Sequence, residues 1–404
     1  MSDNMISNYN GEPAMPEAIG IGLIGSGNMG RAVAELVHNG HEYLAIRSVF
    51  DPDPSAILET RKLFGDQFRQ ADSESELLQQ EDIDWVMIAS WNKFHAAQVI
   101  AAFEAGKHVF CQKPLATNLE DCISIRDAWR KSGKEFVIGF NLRYSPHYRR
   151  IKQLLSEGII GDIVSFEFNE TLDFNHGGFI MGDWRRRREN AGTHLLEKCC
   201  HDVDIANWMV GDRACRVASF GGLNFFLPQN EDALSRVGKT RSGRQGYMTW
   251  LDGSTLNPFT SDKNIVDNQV AIIEYENGVR ASLHINCNTG LPERRMYICG
   301  THGTLRADVL PGSIEVRRIG FGEQSQDYST AESGLHGGGD SVLALELVET
   351  MAHSMTGRPN SAAFNSTTLE DGLTAAVTCF AIDEALDSGK VVDVESYWNK
   401  VDAD

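Results

Sequence analysis

Paired cysteines, positive charge and long apolar runs are all scarce in this chain of 404 residues. Its eight cysteines, Cys111, Cys122, Cys199, Cys200, Cys215, Cys287, Cys299 and Cys379, form no C-x-x-C pair and are not crowded into a small loop-rich scaffold. That excludes a disulfide framework and leads us to expect reduced, mostly buried thiols in a cytoplasmic protein. Lys and Arg number 37 against 56 Asp and Glu, a net charge of −19. Such a surface repels phosphate backbones and anionic lipid, so no nucleic-acid or membrane partner is expected. No stretch approaches the roughly 18 to 20 apolar residues that span a bilayer, and residues 1–17 lack an apolar export core. These first residues read as a flexible leader. Proline is sparse, 11 residues beside 38 Gly, and 42% of the chain is hydrophobic and 23% charged. Collagen-like, coiled-coil and largely disordered classes are thereby excluded. At roughly 150 residues per domain the length predicts two or three domains.

What is present is a series of strand–helix alternations. The apolar run 18–24 precedes Gly25-Ser26-Gly27-Asn28-Met29-Gly30 and a helical pattern over 31–38. Strands at 43–50, 84–89, 108–111 and 135–140 alternate with helices at 54–64, 95–105 and 119–131, which predicts βαβ units on a parallel sheet. After about Asn141 the texture changes. A helix at 146–157 leads into alternating strands at 163–171, 216–221, 269–275, 279–286, 295–299 and 313–318, the pattern of an antiparallel sheet. A helix over 191–209 interrupts it, and helices at 340–354 and 369–388 close the chain and are expected to pack back on the first domain. The polar stretch 228–262 reads as a long insertion, a lid or a protomer contact. The fold class is thus α/β: a parallel Rossmann sheet over 18–141, then over 142–404 an α+β domain on a mostly antiparallel open sheet, carrying substrate and oligomer contacts.

The glycine run gains meaning from its context, directly after a strand and opening a helix. Gly25 permits the turn, Gly27 lets backbone approach a pyrophosphate, and Gly30 allows close helix packing. The helix N-terminus, with Ser26, Asn28 and Met29 around it, offers free N–H groups to phosphate. Asp51 lies 21 positions past Gly30, at the end of the next strand. It suits the ribose hydroxyls and repels a 2′-phosphate, so NAD is expected over NADP.

Two later segments, Ala89-Ser90-Trp91-Asn92-Lys93-Phe94-His95 and Ala105 to Ala116 with Gln112-Lys113-Pro114, resemble the paired signatures of the Gfo/Idh/MocA oxidoreductases. That family usually has glutamate at the position of Gln112. Glu197-Lys198-Cys199-Cys200-His201 resembles its third signature, an acid and a histidine four residues apart. Segments 139–144, 300–305 and 336–340 extend the resemblance over nearly the whole chain. It implies a Rossmann domain, a sheet domain and a nicotinamide site between them, with Ser90, Trp91, Asn92, His95, Gln112 and Lys113 beside the cofactor.

The chemistry can also be argued from the residues. Oxidising a secondary alcohol needs a base, a donor that polarises the forming carbonyl, and a nicotinamide held beside the carbinol hydrogen. His201 suits the base, Lys113 the donor, and Glu197, one helical turn before His201, suits orientation of the imidazole or a bond to another hydroxyl. Arg143 and Tyr144 follow the last strand of the parallel sheet and are expected to line the cleft, Arg143 in either a substrate or a structural role. Asp204 either bonds in the site or satisfies local polar groups. The run Arg185-Arg186-Arg187-Arg188 offers a substrate anion a partner, Arg185 first, or else pairs with surplus acids. His194, Glu197 and His201 share a helical face at metal-ligand spacing, but no second ligand cluster accompanies them, and we expect no metal.

The function expected is NAD-dependent hydride transfer at a secondary hydroxyl or ketone of a sugar, polyol or glycoside. Two alternatives remain: a redox-neutral, NAD-dependent glycosidase working by transient oxidation and elimination, and a non-catalytic nucleotide-binding regulator. The sheet domain has few helices to cover it, so a homodimer or homotetramer is expected.

Overall fold

The structure is a computed structural model that describes residues 18–40, 43–250, 256–331, 335–356 and 367–403. The expected leader, 1–17, lies outside them. The first domain runs β1 (Ile19–Ile24), α1 (Asn28–Gly40), β2 (Leu44–Phe50), α2 (Pro54–Phe64), β3 (Arg69–Gln70), α3 (Glu74–Leu78), β4 (Trp85–Ile88), α4 (His95–Glu104), β5 (His108–Gln112), α5 (Leu119–Ser132) and β6 (Phe136–Gly139). Its sheet has the order β3-β2-β1-β4-β5-β6, with every pairing parallel. All six residues of β1 are buried, because helices cover a central parallel strand on both faces. The chain reverses direction across β1, so the ends of β1 and β4 border the crevice where such sheets bind ligands. Two elements were not expected, β3 and α3, both too short to show a period.

The second domain runs α6 (Pro146–Ser156), β7 (Ile163–Asp173), α7 (Phe174–Gly182), α8 (Arg188–Ala191), α9 (Cys200–Val210), β8 (Ala214–Gly222), α10 (Ala233–Val237), β9 (Asn268–Tyr275), β10 (Arg280–Thr289), β11 (Arg295–Gly300), β12 (Gly303–Asp308), β13 (Ser313–Arg318), β14 (Gln326–Asp327), α11 (Gly339–Thr356), α12 (Leu369–Ser388), β15 (Val392–Asp393) and α13 (Glu395–Asp402). Its nine strands lie in the order β14-β13-β12-β11-β7-β10-β9-β8-β15. All neighbours are antiparallel except β7 and β10, which pair in parallel with Phe168 opposite Leu283. The inward residues pack under α9 and α12. The outward face carries an exposed apolar row, with Phe220, Val270, Ile272 and Tyr297 on it.

The closing helices return to the first domain. Leu343, Leu347, Val348 and Met351 of α11 share a core with Ile21, Leu23, Val33 and Trp85, and Trp85 Nε1 donates to Ser354 Oγ at 3.0 Å. The insertion is folded where it is described: Phe226, Ala233, Tyr247 and Phe259 form a separate core with Ile180 and Met181 of α7. Residues 251–255 of it lie outside the described residues.

The largest departure from expectation is the helix over 191–209. Gly192, at φ +81, ends α8, and residues Leu195–Cys199 form a π turn before α9 begins. A π turn carries more residues per turn than an α-helix, so it re-aims the side chains it holds.

Candidate active site

The glycine loop has room for a cofactor's phosphates. A Cβ at Gly27 would meet nothing within 4 Å, whereas one at Gly30 would lie 2.2 Å from Gly25 O. Gly27 therefore keeps space open at the surface, and Gly30 lets α1 close on the loop. Gly27, Asn28 and Met29 are exposed beside the first-turn N–H groups of α1, which suits a pyrophosphate. Asp51 holds the loop in place: its Oδ2 accepts from Ser26 N at 2.7 Å, and its Oδ1 accepts from Asp53 N at 2.9 Å. Arg31 braces the same turn through Ser26 O and Asn28 Oδ1.

Beyond β4, Trp91 is 40% exposed and stacks on Trp184 of the second domain, with ring centroids 5.1 Å apart and planes 9° from parallel. Ser90 Oγ donates to Gln98 Oε1 at 2.5 Å. Two residues expected beside the cofactor are instead consumed by the protein. Asn92 is buried and donates to Ala191 O at 2.8 Å. His95 is buried with Nδ1 2.8 Å from Pro114 O and Nε2 3.3 Å from Ser90 O, so it ties two loops together. Gln112 is buried, and its Nε2 has no partner among the described residues.

Opposite the loop, charges gather. Lys113 Nζ donates to the backbone oxygen of Glu197 and, at 3.3 Å, to its Oε1. Arg185 Nε donates to the same Oε1 at 3.0 Å and its Nη1 to Asp183 at 2.7 Å. Burial alone would raise the Glu197 carboxyl, but Lys113, Arg185 and Lys198 outweigh it and hold the pKa at about 2. Glu197 therefore orients Lys113 and Arg185, not His201 as the helical spacing suggested; the π turn redirects it.

His201 is buried against the edge of Phe140, at 5.8 Å, and neither ring nitrogen bonds a described residue. Burial, then the Lys113 ammonium, then His336 hold its pKa well below the ordinary 6.5, which keeps the imidazole neutral. The His336 ring lies 5.4 Å away, its Nδ1 3.0 Å from both oxygens of Asp340. The only signal of this pair in the sequence is a histidine four residues ahead of an aspartate within 336–340.

Other expected site residues are structural. Arg143 makes a two-pronged pair with Asp204, both bonds 2.7 Å, and a third ion pair with Asp371 at 2.8 Å. Both candidate roles in the cleft, for Arg143 and for Asp204, are thereby absorbed. Tyr144 is buried in the core beneath α11, its hydroxyl accepting from Thr367 N at 2.9 Å, rather than lining the cleft. The arginine run divides. Arg186 and Arg187 pair with Asp262, and Arg188 pairs with Asp387, leaving Arg185 alone to reach the cleft.

The helical metal face does not assemble. His194 Nε2 lies 3.2 Å from Cys287 Sγ, while Glu197 is taken by cations. Among the described residues Glu170, Cys199 and Asp202 do approach one another. However, Arg294 bonds Asp202 twice at 2.7 Å and pairs with Glu170 at 3.2 Å, and Lys198 adds a second cation at 3.3 Å. The charge that an ion would supply is already there.

An open glycine loop on a parallel sheet, a half-buried lysine just past β5 of that same sheet, and a neutral imidazole on a helix of the second domain define a dinucleotide-dependent oxidoreductase of two domains. The chain belongs to the Gfo/Idh/MocA oxidoreductase family. The family's NAD-binding Rossmann fold matches residues 19–140, and its C-terminal alpha/beta domain matches residues 152–394. NAD is its cofactor. The chain is 27% identical to inositol 2-dehydrogenase 3 of Saccharopolyspora erythraea, over 93% of this chain and 94% of that protein. It is 25% identical to 2,7-anhydro-N-acetylneuraminate hydratase of Escherichia coli, over 74% and 70% of the two chains. Its fold superimposes on levoglucosan dehydrogenase in complex with NADH and levoglucosan with a TM-score of 0.74, at 22% identity, covering 93% of this chain and 99% of the other. No helix among the described residues is long and apolar enough to cross a membrane.

Proposed function

We propose that the protein transfers a hydride between NAD and a secondary hydroxyl, or the matching ketone, of a neutral sugar, polyol or glycoside. The observation that carries this reading is a neutral, uncommitted imidazole, His201, held within electrostatic reach of the Lys113 ammonium, which itself follows β5 of the sheet that carries the glycine loop. NAD, held at the glycine loop, would supply the hydride acceptor or donor. His201 takes the hydroxyl proton on a ring nitrogen, and Lys113 Nζ donates to the substrate oxygen as the carbonyl forms. Glu197 and Arg185 fix the ammonium in place and bury its charge away from water. Gly25, Ser26, Gly27, Asn28, Met29 and Gly30 receive the pyrophosphate, and Asp51 favours NAD over NADP.

A neutral guest fits because Arg185 is already paired with Glu197 and Asp183. Similarity to inositol and levoglucosan dehydrogenases supports a ring polyol or anhydrosugar. We further assign the exposed apolar row of the sheet to contact between copies of the chain, and place the protein in the cytoplasm, where eight free thiols persist.

The test is a panel of sugars, inositols, glycosides and acidic sugars, assayed together for NADH formation and aglycone release. NADH formation on a polyol or sugar supports the reading. Aglycone release without net NADH assigns the redox-neutral glycosidase instead, and NAD binding with neither product assigns a regulator.

A further inference from the structure

The hydride-transfer chemistry leaves His336 unused, although the fold holds it under strain. His336 sits at φ +51, in the left-handed region, and Gly337 and Gly338 follow at +59 and +82. Strain of this kind in a non-glycine residue persists only where surrounding contacts enforce it. Here Ser145 Oγ donates to Gly337 O at 2.9 Å, and a Cβ on Gly339 would fall 2.1 Å from Asn141 O. Asn141 Nδ2 also donates to Asp340.

This wedge fixes the imidazole's tautomer. An ionised carboxylate only accepts, so Nδ1, bonded to Asp340, carries the hydrogen and Nε2 is left as an acceptor. No described residue bonds that Nε2. The His201 ring, 5.4 Å away, is also uncommitted, with a buried Nδ1 that has no partner among the described residues. Rings so close are near enough for hydrogen bonds of about 2.8 Å from each to reach neighbouring hydroxyls of one small ring.

We propose that His336 is a second ligand-binding residue of the cleft, its Nε2 accepting from a hydroxyl next to the one that meets His201, so that the preferred ligand is a ring carrying a vicinal diol. The inference rests on the function proposed above for which hydroxyl His201 receives. Asp340 and Asn141 act through His336 and are positioning residues.

The experiment is calorimetric titration of the NADH-loaded protein with myo-inositol and glucose, each beside its monodeoxy derivatives. Turnover of the same compounds with NAD is measured in parallel. Wild type is expected to lose at least tenfold in affinity when the hydroxyl next to the oxidised one is removed. His336→Asn, which tolerates the left-handed backbone, is expected to bind the intact polyol at least tenfold more weakly and to ignore that deletion. His336→Gly, relieved of strain, is expected to match it with an unchanged or higher Tm, which a purely structural histidine would not do. Wild-type affinity in His336→Asn, or an unchanged sensitivity to the missing hydroxyl, overturns the inference. If the binding pattern appears but no compound reduces NAD, the oxidoreductase reading falls and the inference stands. Turnover without the pattern sinks the inference alone, and a panel that does not bind at all sinks both.

Discussion

The glycine loop works by leaving space. At Gly27 a Cβ would meet nothing within 4 Å, and the groups offered to a ligand are backbone N–H donors. The catalytic cluster leaves almost none: the buried Glu197 carboxylate sits 3.3 Å from Lys113 and 3.0 Å from Arg185, with the neutral His201 buried nearby. A large anionic cofactor can be held by peptide groups from one short stretch of chain. A small neutral ring offers only hydroxyls, so its site has to collect side chains from segments 84 residues apart, as Lys113 and Glu197 are, each prepared by a neighbour. The first kind of site is tolerant of its surroundings and the second is not.

The strongest way to break the contrast is Lys113→Met. It removes the ammonium assigned to the reacting oxygen, and kcat/KM is expected to fall by about 10² to 10⁴-fold in steady-state assays of the substrate found above. Next comes Arg294→Met, which strands Asp202 without its cation and leaves Glu170 with Lys198 alone; a loss of about 3–5 kcal/mol in denaturant unfolding is expected.

The Glu197 carboxyl, held at about 2 in the folded protein against an ordinary 4.5, stabilises the fold above pH 4.5 and loses that contribution as pH falls toward 2. The contribution is about 3 kcal/mol. Unfolding midpoints measured across this window should therefore fall less steeply for Glu197→Gln than for wild type.

Within the loop itself two glycines should separate. Gly27→Val is expected to weaken NAD binding about tenfold, close to 1.4 kcal/mol, with the Tm unchanged. Gly30→Ala, whose Cβ meets Gly25 O, is expected to lower the Tm as well. The smallest effect belongs to Arg187→Ala: its partners Glu189 and Asp262 lie at the surface, and KM for any acidic sugar should not move. A rise in that KM would restore the arginine run as an anion site.

The two regions also differed in how much of them could be read from the sequence. The glycine loop, Asp51 and the strands around them are local: spacing and apolar alternation carry them, and the parallel sheet follows. Lys113 and His201 were found through a resemblance, yet their partners were not. Glu197 turns toward Lys113 because of a π turn, and no residue type marks one. The partners of Arg186 and Arg188 are Asp262 and Asp387, 76 and 199 positions away, a pairing that only the folded chain defines. His336 depends on a backbone angle that the three glycines after it hint at but do not fix. His95, Asn92, Arg143 and Tyr144 had the right neighbourhood and the wrong direction, since burial turned each toward the protein.

One helix deserves a mechanical reading. α11 starts at the imidazole in the cleft and runs back to pack against the core that carries α1, the helix whose N-terminus faces the phosphates. It is a strut bolted to both halves of the enzyme. Separating the halves would therefore expose the packing of Leu343, Leu347, Val348 and Met351 against Ile21, Leu23 and Val33. The stack of Trp91 on Trp184 is a second, surface-side tie between the same halves.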